Sequence, residues 1–406
     1  MLRGRSSTAY SAPGTRLLEP AHARELAHNS DTYTRAERAA AVLGAGIVFI
    51  TIALWTAFGE SAARYVIYSL PITLALPWLL AGGQNAALTH KGLVAMAIYV
   101  GLAVTSIWLN GSNQSTQRDV WILCSIITLF IISTRSPPWL AGCGLATLAA
   151  GLLIEAPIKG VQLSVNLVDS TGILESALAM PLGVLVVYFY WRGQKPMTMV
   201  AGLLCFVAFK RIVILAVLGA ILLSVLSDFM RHSERTRFAI AVVVSVLLSV
   251  IALNLQLVFG EMQTLAENDD FSANRLSLGR FEIAQTLWQE WAGRELLNTM
   301  FGFGPGAADA VIWHRMGSEV LTHNDWLKLL FDYGVAGVVA FHLIFMLLFG
   351  TNRLGSMLYV FSSIVMMTDN IILYLYHFVF VAQVMQIPDL SIDNSSRQAR
   401  LRVEHA

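Results

Sequence analysis

Apolar runs dominate this sequence and limit what it can fold into. They lie at about 40–58, 66–81, 92–109, 120–133, 138–154, 173–190, 197–209, 212–228, 238–258 and 326–350, with a last stretch at 355–386. A helix needs about 20 apolar residues to cross a bilayer. Inside the bilayer every backbone polar group must be satisfied internally, which restricts such runs to helices. Composition agrees: 56% of residues are hydrophobic and 13% charged, against about 45–50% and 25% in soluble domains. The expected fold is therefore all-α, a polytopic integral membrane protein with 11–12 transmembrane helices. The uncertainty of one span sits in the final stretch, which Asp369-Asn370 interrupts. Two short helices hinged there give 12 spans, and one tilted helix gives 11.

Three segments organise the chain: a polar tail over 1–38, a membrane domain over 39–386 and a second tail over 387–406. The first apolar run starts too late for a cleaved signal peptide. Lys and Arg in the short loops set the orientation. His90-Lys91, Arg135, Arg192 with Lys195, Arg231 with Arg235 and Arg237, and Arg353 alternate onto one side with the basic tail. That side is read as cytoplasmic. The opposite side then carries the longest loop, 259–325, in which short amphipathic helices are expected. A net charge of +1 gives no sign of a nucleic-acid partner. Cys124, Cys143 and Cys205 all fall in apolar runs, which argues against a disulfide framework.

Charge on the far side is where function is sought. Lys210-Arg211 separates two apolar runs there, against the positive-inside trend. The pair either snorkels to lipid headgroups or holds phosphate, for which Arg has a matching planar fork. In the long loop, Glu261, Glu267, Asp269 and Asp270 read as solvated surface, and Arg275 and Arg280 follow. Residues 279–296 show helical spacing of Phe281, Ala284, Leu287, Trp288 and Trp291. Such a helix either lies in the membrane interface or merely packs. Gly302, Gly304, Pro305 and Gly306 form a turn-rich stretch that can offer backbone amides to an anion, without the Lys-Ser/Thr of a nucleotide-binding loop.

His323-Asn324 stands directly before an apolar helix, with Thr322 and Asn324 as candidate N-caps. The positive end of the helix disfavours imidazolium, so a neutral His323 can serve as a general base. Gly334 and Gly337 then either let another helix backbone or a lipid chain approach that helix closely or serve ordinary helix packing. Few charges lie mid-span, whereas a transporter or flippase concentrates polar residues at the bilayer midplane. The distribution favours an enzyme working at one membrane surface.

His-Asn, nine residues and then Gly-x-x-Gly resembles the signature of bacterial O-antigen ligases and of O-antigen or exopolysaccharide polymerases. The order of features over about 205–350 fits as well: Lys210-Arg211, Arg280 before a Trp-containing helix, Gly302-Phe303-Gly304, then His323-Asn324. The sequence departs from the family at Lys210-Arg211-Ile212, where Ser-Arg-Gly is common. The resemblance implies glycosyl transfer at the periplasmic face of the bacterial inner membrane. The donor would be a glycan on undecaprenyl diphosphate, and neither metal ion nor other cofactor is needed. The acceptor is another lipid-linked repeat unit in a polymerase, the reading preferred here. In a ligase it is lipid A–core or a protein. A flippase and a chain-length regulator are the implied protein partners. The implied roles are catalysis by His323 and Arg280, and diphosphate binding by Arg211, Arg275 and Lys210.

Overall fold

The computed structural model describes residues 35–80, 87–113, 115–133, 136–158, 175–255, 280–317 and 322–388. Arg275, the acidic run 261–270 and, of the two terminal tails, residues 1–34 and 389–406 lie outside the described residues. What is described is almost wholly helical. A two-residue antiparallel ladder, β1 (Ala87–Leu88) with β2 (Ile132–Ser133), is the exception.

The first element, α1 (Arg35–Leu80), runs through both of the first two apolar runs. It is nonetheless not one rod. Thirty residues of straight helix separate Cα atoms by about 45 Å, yet Leu74 Cδ2 lies 3.6 Å from where a Cβ on Gly44 would stand. The two arms therefore double back on each other, as two separate runs require. After α1 come α2 (His90–Asn110), α3 (Thr116–Ile131), α4 (Trp139–Ile158), α5 (Ala179–Trp191), α6 (Lys195–Val207), α7 (Arg211–Phe229) and α8 (Glu234–Leu253). The long loop holds α9 (Arg280–Trp291), α10 (Leu296–Phe301) and α11 (Ala307–Met316). Then α12 (Asp325–Phe349), α13 (Arg353–Val365) and α14 (Tyr376–Met385) complete the bundle. Among the described residues, six helices are long and apolar enough to cross a membrane. The last apolar stretch divides into α13 and α14 around Asp369-Asn370, the hinged alternative of the two expected.

Burial ranks the helices. In its most apolar window α12 is 67% buried, whereas α7 and α8 are 28% buried. Hence α12 is the central pillar, packed on α2, while α7 and α8 both lean on α13. Leu203, Phe206, Leu215, Leu218, Leu222 and Leu247 stay on the outside, where a lipid environment accepts them.

The loops segregate to two ends. At one end Arg353 pairs with Asp228 (2.6 Å), Arg192 donates to the Pro388 carbonyl (3.3 Å) and the Ser136 amide donates to the Gln386 carbonyl (3.1 Å). Most of the basic loops read as sharing one side gather there. At the other end lie the start of α7, the end of α8, the start of α12 and the α13–α14 hinge. An apolar cavity of about 80 Å³, lined by Gly44, Val48, Gly144, Phe380 and Gln386, reaches toward the first end, away from His323.

Candidate active site

Asn324 is the N-cap of α12. Its Oδ1 accepts from the Leu327 amide (3.0 Å), and its Nδ2 donates to the Ala252 carbonyl at the end of α8 (2.9 Å). Thr322, the other candidate cap, instead donates to Asn370 Oδ1 in the hinge (2.9 Å). The Asp325 amide donates to the Met366 carbonyl (2.9 Å), and Asp325 Oδ2 accepts from the Ile372 amide (3.1 Å). These bonds clamp the start of α12 between α8 and the hinge and leave His323 little freedom. His323 sits at φ 49°, and Phe209, directly before Lys210, at φ 40°. Both occupy the left-handed region that non-glycine residues seldom adopt, and such strain clusters at functional sites.

His323 Nδ1 is buried and has no hydrogen-bond partner among the described residues. Its imidazole is pushed down to about 4, first by burial, then by the nearby Arg280, with Lys210 adding slightly and Asp369 opposing. The direction is the one that the neutral form expected from the sequence requires, and its causes are burial and Arg280 rather than the helix end. Arg280 opens α9, is half-buried, and makes no ion pair among the described residues.

Lys210 is the residue before α7, and it is buried. Its Nζ lies 2.5 Å from Asp369 Oδ2 and 5.1 Å from the centre of the Tyr374 ring. Asp369, which had no evident partner in the sequence, therefore has one, brought in by the hinge. This pairing occupies part of the charge assigned to phosphate, so Lys210 acts as half of an ion pair. Arg211 is exposed at the first turn of α7 beside it. The structure thus brings His323, Arg280 and Lys210 together, with Arg211 adjoining. Arg275 falls outside the described residues.

The glycine stretch does something the sequence did not indicate. Its amides wrap a carboxylate of the protein itself: Gly306 N donates to Asp332 Oδ2 (3.1 Å) and Ala308 N to Asp332 Oδ1 (2.8 Å). Asp332 belongs to a buried cluster. Lys328 Nζ lies 2.7 Å from Asp119, 3.1 Å from Asp309 and 3.0 Å from Asp332, and Arg118 pairs with Asp119 and Asp309. Burial raises the Asp309 carboxyl, yet Lys328 and Arg118 together hold it below the usual range. A phosphate-binding role for these amides is thereby replaced by a structural one. Close backbone packing explains the glycines. Gly334 (φ 67°) interrupts α12, and a Cβ there would lie 2.4 Å from the Met300 backbone. Gly302 (φ 72°) meets the Asp332–Tyr333 backbone in the same way. The expected close approach is therefore made by the end of α10, at Gly334.

The amphipathic segment 279–296 is shorter than expected. Helix α9 ends at Trp291, before the Ala292-Gly293 turn. Its seam of Ile283, Ala284 and Leu287 is buried against α11 and α12, so it packs on protein.

Together these observations define a multi-pass α-helical membrane protein with a half-buried histidine, its Nδ1 unpartnered among the described residues, and a group of cations at one end of its bundle. Residues 196–342 match the family model Wzy_C, O-antigen ligase, so this segment is similar to the O-antigen ligase/polymerase superfamily. Members of that family are glycosyltransferase-like enzymes. The matched segment contains Lys210, Arg211, Arg280, His323 and Gly334, and it ends before Asp369. No curated protein matches the chain.

Proposed function

We propose that this protein transfers a glycan from undecaprenyl diphosphate to an acceptor sugar hydroxyl at the periplasmic face of the bacterial inner membrane, as a polymerase of lipid-linked repeat units. The observation that carries the reading is the buried, unpartnered Nδ1 of a neutral His323 beside Arg280. A general base needs a free lone pair within hydrogen-bond reach of the proton it takes. In the proposed step the acceptor oxygen attacks the anomeric carbon and gives its proton to His323. The bond from that carbon to the phosphate oxygen breaks, and undecaprenyl diphosphate leaves with the electron pair. A single displacement of this kind inverts the anomeric centre. Arg280 and Arg211, with Arg275 from the loop, stabilise the charge that develops on the leaving diphosphate. Lys210, tied to Asp369, holds the floor of the site and adds positive potential.

Ligation to lipid A–core or to protein uses the same chemistry with a different acceptor. Deleting the gene and resolving the surface glycans on a gel separates the two. Single repeat units on the lipid core, or loss of exopolysaccharide with intact lipopolysaccharide, is the outcome expected of a polymerase. Lipid-linked polymer that never reaches the core means a ligase. Unchanged glycans in the deletion strain would remove the glycan reading.

A further inference from the structure

Helix α9 begins with Arg280 at the reaction centre and carries Glu290 ten residues on, about 15 Å away at 1.5 Å per residue. There α9 and α11 enclose an open concavity of about 720 Å³, lined by Glu290, Ala310, Val311, His314 and Arg315. It lies apart from the base and the cations of the proposed mechanism, and its lining is already organised. Glu290 Oε2 accepts from Arg294 (2.7 Å) and Oε1 from Arg315, while Arg294 also lies over the Phe303 ring at 5.7 Å. Those two guanidinium groups hold the Glu290 carboxyl below its usual range, so it remains an acceptor under all physiological conditions.

We propose that this concavity binds the glycan chain several sugars away from the bond being formed. The proposal rests on the glycan-transfer reading and extends it to a second contact. Ala310 and Val311 give the lining a short apolar floor, which suits the C–H face of a sugar ring. Glu290 engages both guanidinium groups, which leaves the trio one net positive charge rather than a bare pair of cations for a diphosphate. Donors and an acceptor fixed side by side suit neighbouring hydroxyls, and sites built to hydrogen-bond hydroxyls discriminate strongly for them. Because Glu290 and Arg280 share one rigid helix, a chain held at the concavity is in register with the reaction centre.

The test uses the full-length protein in lipid nanodiscs. The probe is glycan released by mild acid from the host's own lipid-linked pool and labelled with a fluorophore at its reducing end. Binding is read by anisotropy. Wild type and His323→Ala should both bind. Arg315→Ala and Glu290→Gln should weaken binding by about 10- to 100-fold, the range for one charge-assisted hydrogen bond. Val311→Trp, which fills the floor without removing a charge, should do the same, with thermal melting unchanged in all three. Binding equal to wild type in all three variants overturns the proposal while glycan transfer stands. So does a wild-type preparation that transfers glycan but holds no probe. A wild type that neither binds nor transfers overturns the glycan reading as well.

Discussion

At His323 the backbone is strained and the side chain half-enclosed, with a buried Nδ1 that has no partner among the described residues and a neighbouring guanidinium. Two expectations belong to this residue. An ordinary histidine gains a proton near 6.5, whereas His323 does so at about 4. Because the folded value is depressed, the base stays neutral as pH falls through 6.5. Transfer measured in nanodiscs should therefore hold level from pH 8 to about 5 and fall only near 4; a break at 6.5 would show an unperturbed histidine. The fold bears the opposite cost. The unfolded chain protonates first, so thermal stability should decline over that same window. Lys210 and Asp369 form the second case. Removing one partner of a buried pair costs about 3–5 kcal/mol. Asp369→Ala should lower the melting temperature, and Lys210→Met together with Asp369→Ala should recover part of the loss. Strictly additive losses in that double-mutant cycle would mean that the two charges do not interact.

Glycines and buried charges govern the elements around the site. Gly334 lets the end of α10 cross α12 at backbone distance, and Asp332 one turn nearby gathers the glycine-stretch amides. Gly334→Ala combines a backbone conformation that is essentially restricted to glycine, about 1–3 kcal/mol for an L-residue, with overlap against Met300. It should destabilise the protein and abolish activity, whereas Gly202→Ala, which meets nothing within 4 Å, should be neutral. Lys328→Met should be worse than either. It leaves Asp119, Asp309 and Asp332 facing each other with Arg118 alone, and purification yield with melting temperature reports the difference. The His-Asn-x9-Gly spacing was readable because caps and glycines leave local marks. The charge cluster was not, because Asp119 lies 209 positions before Lys328, too far apart for any local pattern to join them. Asp369 stood out as a mid-span charge at a hinge, but its partner could not be read from the sequence, since Lys210 arrives from the start of α7.

Over the whole molecule the apolar runs announced the helices, and the hinge at Asp369-Asn370 resolved into α13 and α14. The run lengths did not reveal that the first two runs pair as an α1 hairpin, nor that α12 is central, because periodicity says little about which apolar face meets protein and which meets lipid. The basic residues Arg192, Arg237 and Arg353 do gather at the end opposite His323. In a cysteine-free background, Glu295→Cys should react with a membrane-impermeant maleimide on intact spheroplasts, and Gln194→Cys should react only after lysis. The reverse pattern would turn the site toward the cytoplasm and away from the proposed donor.

The central claim is that His323 accepts the acceptor's proton while Arg280 stabilises the departing diphosphate, and the most direct measurement is single-turnover release of undecaprenyl diphosphate in nanodiscs. Wild type should release it only when acceptor is present. His323→Ala and Arg280→Ala, each folded and inserted normally, should slow release by about 100- to 1000-fold, as loss of one transition-state donor or base does. Release at the wild-type rate from either variant would contradict the account.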